Sequence, residues 1–173
     1  MAGIETVVFG SGGSRRIPDG FDEKEARDQF VSLLKQLGPV AAKYDVYIAL
    51  EPLHSGEVNF INTVAEGLDI VKMADHPHIL LLCDFFHMLR ENEPAGHIIR
   101  AAGYIQHVHV AEKQERTAPG VAGDDFRPYL RALKEIGYTG GISVESRWND
   151  FESELPIAIA ALRQQIDEVV SER

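Results

Sequence analysis

The feature that most constrains this chain is a rhythm. Short β-branched or apolar runs alternate with longer stretches whose apolar residues recur at helical spacing, and the pattern is read five times. Residues 4–9 (IETVVF) form the first candidate strand, closed by a glycine-rich turn at 10–13. Residues 22–43 then carry Ala26, Phe30, Leu33, Leu34, Leu37 and Ala41 on one helical face. A second strand is expected at 46–50 (VYIAL). Thr63 and Glu66 make a capping-box pattern ahead of Val64, Leu68 and Val71, so a helix starts there. The continuous apolar run 79–83 (ILLLC) suits a strand buried on both faces. A helical stretch at 94–102, a strand at 105–110, a helix near 125–136 ending at Gly137, a strand at 141–144 and a helix over about 152–170 complete the pattern. Regular β-then-α alternation implies right-handed crossovers and a parallel sheet, either open or closed into a barrel. Periodicity alone does not choose between the two.

The placement of polar residues says more. Glu51 follows one strand and Asp84 the next; His107 and His109 lie on a third, and Glu145 follows a fourth. In α/β barrels, groups at the C-terminal ends of strands share one pocket. His-x-His on a strand puts both rings on one face. Each group alone has a plain reading as a helix cap, a surface charge or a packed ring. Together, three carboxylates converging with an imidazole are costly unless a cation neutralises them. The oxygen-rich donor set suits Mn²⁺, Mg²⁺ or Co²⁺ better than a thiolate-type zinc site. The site is therefore expected to hold one divalent ion, with Mn²⁺ placed first.

Composition narrows the partners. The net charge of −10 disfavours phosphate backbones, so no nucleic-acid partner is expected. No apolar run approaches the roughly 20 residues that span a bilayer, and the first residues lack a signal-peptide pattern. With Cys83 as the one cysteine, a cytoplasmic protein without membrane partners is expected.

The segments LEPLHSGEVNFINTVAEGL, LLCDFFHM, IQHVHVAE and ALKEIGYTGGISVES resemble the xylose-isomerase-like sugar phosphate isomerase/epimerase superfamily. The ketose 3-epimerase and hydroxypyruvate isomerase patterns are the nearest. The resemblance runs from Val7 to about Trp148. It implies a TIM-type (β/α) barrel and a metal held by Glu51, Asp84, His109 and Glu145. It also implies substrate contacts at Glu57 and His87. The implied enzyme is an isomerase or epimerase of a small carbohydrate, working through an enediolate. Glu51 and Glu145 are the expected acid/base pair, each doubling as a ligand. An inosose-type dehydratase, or a non-catalytic binding barrel, would fit the same motifs. An abasic-site endonuclease on this barrel needs a later Asp-x-His pair, and the stretch 120–128 (GVAGDDFRP) has no histidine.

Three departures from the family pattern matter. The substrate-gripping Arg expected six residues after His109 is Glu115 here, with Arg116 one step later; a one-residue loop shift would restore the contact. His54 stands where many epimerases have Asn. A whole barrel has eight units and about 250 residues, whereas one domain spanning 1–173 offers about five, an N-terminally short partial barrel. Its open sheet edges favour a homo-oligomer. Lys113, Arg15 and Arg16 are further candidates for the substrate, and Trp148 for a wall of the pocket.

Overall fold

A computed structural model describes residues 3–172. Its sheet has five strands, all parallel and in sequence order: β1 (Thr6–Phe9), β2 (Tyr47–Leu50), β3 (Ile79–Asp84), β4 (Ile105–Val110) and β5 (Ile142–Val144). The helices are α1 (Glu23–Lys43), α2 (Val64–Ala74), α3 (Phe85–Glu91), α4 (Gly96–Arg100), α5 (Arg127–Glu135) and α6 (Phe151–Ser171). The expected partial barrel is what forms, because the sheet is strongly curled. β1 and β4 are separated by two strands, yet Gln106 on β4 donates to Thr6 Oγ1 on β1 at 3.2 Å across the concave face. Ordered neighbours and curl together make this five-eighths of a barrel wall, open between β1 and β5.

The local signals explain where elements begin. Asp22 accepts from the Glu25 amide and starts α1. The Thr63–Glu66 capping box forms in full at α2. β3, the middle strand, is buried almost throughout, with Ile79, Leu81, Leu82 and Cys83 at 0% exposure, as its unbroken apolar run requires. The core lies between the sheet and α1, α2, α4, α5 and α6, with Leu34, Leu68, Ile98, Leu130 and Leu162 contributing from the helices.

Several boundaries differ from the sequence reading. β1 begins at Thr6, not residue 4. α3 was not expected at all; it is short, and Asp84 caps it by accepting from the Phe86 amide at 2.8 Å. The helical stretch at 94–102 shrinks to Gly96–Arg100, since Pro94 sets the turn before it and Gly103 has φ +80° just after.

Candidate metal and substrate site

The strand ends deliver Glu51 from β2, Asp84 from β3, His109 from β4 and Glu145 from β5 to one point. One ligand atom from each lies within 4.8 Å of all the others. Glu51, Asp84 and His109 are buried, while Glu145 is exposed at the open side. Parallel register accounts for the convergence. Asp84 pairs with His109, His109 with Ser143, and Val110 with Val144, so the ends of β3 to β5 stand level.

Packing three carboxylates together shows in their chemistry. Burial pushes the Asp84 carboxyl up to about 7, Glu51 beside it adding to the rise and Arg116 opposing it. Burial alone would lower the His109 imidazole. The carboxylates of Glu145 and Glu51 overrule it and raise the ring to about 9. His109 Nδ1 lies 2.7 Å from Glu145 Oε2 and 3.5 Å from Glu51 Oε1. Neither contact has hydrogen-bond geometry, and both His109 Nδ1 and Glu51 Oε1 remain buried without a hydrogen-bond partner. Buried polar atoms are rarely left so. With an all-oxygen-plus-imidazole donor set, these orphaned atoms fit a divalent cation of the hard or borderline class.

A second cluster adjoins the first: His54, Glu57 and His87 also bring ligand-type atoms within 4.8 Å. Its geometry argues against a second metal. The His54 amide donates to His87 Nδ1 at 3.0 Å, so that nitrogen is the acceptor and Nε2 carries the proton. His87 is neutral, its burial, with Arg116 beside it, holding the ring down to about 3. The Gly56 amide likewise donates to His54 Nδ1 at 3.1 Å, leaving the His54 Nε2–H to face Glu57 Oε1 at 3.3 Å. Two imidazole N–H donors and one carboxylate acceptor share this cluster, and a cation would meet two protons there.

At the first departure from the family pattern, Arg116 turns toward the carboxylate cluster. Its Nη2 donates to Asp84 Oδ2 at 2.9 Å and to Glu145 Oε2 at 2.6 Å, and its guanidinium lies over the Phe86 ring at 4.7 Å. Glu115 and Arg116 both have positive φ, 58° and 57°, which turns the loop tip so that the second of the pair faces inward. Beside this group opens a cavity of about 580 Å³ lined by His54, Glu57, Phe86, Arg90, Glu115, Arg116, Glu145, Ser146 and Arg147.

Other candidates fall outside. His107 bonds Ser143 Oγ at 2.9 Å, apart from the four-residue cluster. Lys113 Nζ is turned to Asn92 at 2.8 Å, and Trp148 packs edge-on against Phe151 at the start of α6. Arg15 is buried, but its Nη2 braces the Glu51 carbonyl at 2.8 Å, and Arg16 braces the Glu57 carbonyl. Both arginines stabilise the walls of the site from behind. Gly10 escaped the sequence reading. A Cβ on Gly10 would lie 2.4 Å from Glu51 Oε2, so the end of β1 must be glycine for that carboxylate to occupy its place. The signal was available in a glycine directly after a strand, but the neighbouring glycines masked it.

Residues 1–167 match the Xylose isomerase-like TIM barrel family. D-psicose 3-epimerase of Ruminiclostridium cellulolyticum is 35% identical over 125 residues, covering 72% of this chain and 42% of the relative. L-ribulose 3-epimerase of Methylomonas sp. is 33% identical over 133 residues, covering 76% of this chain and 45% of the relative. A solved structure of L-ribulose 3-epimerase superposes with a TM-score of 0.86 at 25% identity, covering 98% of this chain and 65% of that one. The chain thus spans less than half the length of these two curated relatives. Its curled five-strand wall, the level strand ends and the match over nearly the whole sequence agree: this chain belongs to the xylose isomerase-like TIM-barrel family.

Proposed function

We propose that the chain carries the catalytic wall of a divalent-metal-dependent ketose epimerase or isomerase. The observation that supports this most is the meeting of Glu51, Asp84, His109 and Glu145 within 4.8 Å, with buried donor atoms left unpartnered. These four side chains would hold the ion, Mn²⁺ by preference and Mg²⁺ or Co²⁺ as alternatives. A divalent ion there would supply electrostatic polarisation of a carbonyl and its neighbouring hydroxyl, acidifying the C–H of the hydroxyl-bearing carbon.

The chain's own groups then divide the work. Glu145 is kept ionised: His109 holds its carboxylate below the usual range despite partial burial, and Arg116 adds to the effect. It therefore takes the carbon-bound proton in its ionised form. Glu51, reached from the adjoining wall and buried, returns a proton to the other face in epimerisation, or to the neighbouring carbon in isomerisation. His87 Nε2–H and His54 Nε2–H donate to substrate oxygens, and Glu57 accepts from a substrate hydroxyl. Arg116, stacked on Phe86, grips the substrate beside Glu145. The curated relatives named above act on ketoses at position 3, so a free ketose such as D-psicose is the substrate class proposed.

The test is proton exchange. With Mn²⁺ present, the chain should wash deuterium from C3 of D-psicose into water and form the C3 epimer. Glu51→Gln and Glu145→Gln should each slow exchange by about 10²- to 10⁴-fold while leaving the fold intact. Exchange that survives both substitutions would remove the assigned acid/base pair, and product with the carbonyl moved would place the enzyme among isomerases.

The proposal extends to assembly and location. β1 leaves Val7 and Val8 exposed beside the sheet opening, Ile4 just before it is exposed too, and α6 leaves Phe151, Ile157 and Ile159 exposed. Such an apolar flank favours self-association into a homo-oligomer, which light scattering measures directly; a monomeric mass contradicts it. No helix among the described residues is long and apolar enough to cross a membrane. A cytoplasmic site of action, without a nucleic-acid partner, completes the reading.

A further inference from the structure

We infer that Glu112, which takes no part in the chemistry above, is a positioning residue that docks the Arg116 loop onto the carboxylate cluster. The inference rests on the reading in which that cluster binds a cation.

Glu112 follows β4 and is 0% exposed, one of the few charged side chains fully inside the protein. A carboxylate in such a place is tolerated only if its oxygens are fully hydrogen-bonded. Glu112 meets that demand from a single loop. Oε1 accepts from the amides of Gly120 at 2.8 Å, Gly123 at 2.9 Å and Asp124 at 3.3 Å. Oε2 accepts from the Ala122 amide and lies 3.1 Å from Thr117 Oγ1. Its own amide donates to the Thr117 carbonyl at 2.9 Å, closing residues 112–117 into a tight turn. The left-handed φ of Gly120 (+93°) and Gly123 (+83°) turns successive N–H groups toward this one carboxylate.

Arg116 sits at the tip of that turn, one residue before Thr117. Beyond its two carboxylate contacts, its Nε donates to the Glu145 carbonyl at 3.1 Å, and its carbonyl accepts from the Arg147 amide at 2.8 Å. The tip is therefore held from two sides: by Glu112 at its base, and by the end of β5 at its front. Freed from Glu112, the 117–124 segment loses its common acceptor, and the left-handed pair Glu115–Arg116 is left with the hydrogen bond from the Thr117 amide to the Gln114 carbonyl at 3.1 Å and its contacts with the end of β5. Arg116 Nη2 occupies lone pairs on Asp84 Oδ2 and Glu145 Oε2, both assigned to the cation. Loosening the loop should thus relieve that competition as well as weaken the grip on substrate.

This gives Glu112 a readout that a merely structural residue would not move. Mn²⁺ affinity, measured by calorimetry, is compared in the unaltered chain, Arg116→Ala, Glu112→Gln and the double variant, beside amide hydrogen exchange. Glu112→Gln keeps the shape but turns one oxygen into an NH₂ aimed at N–H donors. Both single variants should tighten Mn²⁺ binding by about tenfold, the worth of one lost charge-assisted bond. The double variant should be no tighter than Arg116→Ala alone, and exchange should accelerate over 117–124. Thr117→Val, a milder loss of one contact to Glu112, should move the same quantities in the same direction and serves where Glu112→Gln is not folded by circular dichroism. Wild-type Mn²⁺ affinity in a folded Glu112→Gln or Thr117→Val, or additive effects in the double variant, overturns the inference. If the unaltered chain binds no Mn²⁺, the metal reading fails first; unchanged exchange over 117–124 would then separately refute Glu112 as the anchor.

Discussion

Replacing Gly10 by alanine tests how tightly the cation site is built without touching any of its ligands. A Cβ there would sit 2.4 Å from Glu51 Oε2 and 3.6 Å from its Cδ. Ordinary contact begins near 3.4 Å, so the carboxylate must retreat by about 1 Å. Gly10 has no positive φ, so alanine introduces no backbone strain, and the encumbered atom is the far end of a side chain that can swing aside. The fold should therefore survive, with overpacking of about 1–3 kcal/mol partly offset by about 0.4–1 kcal/mol of reduced unfolded-state entropy. The site should not survive unchanged, since metal ligands are held to about 0.2 Å. A 1 Å displacement of one of four ligands should weaken Mn²⁺ binding by about 10- to 100-fold, comparable to losing an outer support of a ligand. Gly13→Ala is the control, because a Cβ there meets nothing within 4 Å. Calorimetric titration of both variants decides it. Mn²⁺ affinity in Gly10→Ala within twofold of the control would refute the claim that Glu51 is a ligand in the position described.

Three further predictions follow from the same geometry. Cation binding must displace protons from Asp84, raised to about 7 by burial and Glu51, and from His109, raised to about 9 by its two glutamates against its burial. Because a ligand binds metal only when deprotonated, Mn²⁺ affinity should climb as pH rises from 6 to 9, and titrations in buffers of different ionisation enthalpy should report proton release at pH 7; a flat profile contradicts it. Gly56→Ala puts a Cβ 2.8 Å from His54 Cε1, so it should displace that imidazole and raise the ketose KM while Mn²⁺ affinity stays put; equal loss of both would mean the two clusters are one unit. Glu93 is buried and accepts from the Val64 amide at 2.7 Å at the start of α2, so Glu93→Ala should destabilise the chain by about 1–3 kcal/mol in urea unfolding without altering Mn²⁺ affinity; a loss of affinity would contradict its purely structural role.

Much of this was legible in the residues, and the physical reason differs from part to part. The β/α alternation and the buried run at β3 are long-period signals, and the five strands formed in the expected places, with shifted bounds. The capping box at Thr63 is local chemistry and formed as expected. α3 was invisible because seven residues are too few for periodicity, and its cap, Asp84, was already spoken for as a ligand. Glu51, Asp84, His109 and Glu145 could be nominated together because strand ends in a parallel sheet converge by topology. That Arg116 reaches Asp84 and Glu145 from its loop depended on two left-handed residues that sequence spacing does not encode. Gly10 and Glu112 were missed for a related reason. One matters for the side chain it lacks, and the other for amides eight to twelve residues away.

The central claim is that four strand ends bind one cation. Its most direct test is a calorimetric Mn²⁺ titration of the metal-stripped chain beside Asp84→Ala, with circular dichroism to confirm that both are folded. The account predicts saturable one-to-one binding that the substitution abolishes. A folded chain that binds no Mn²⁺, or an Asp84→Ala variant that binds it as tightly, would contradict it.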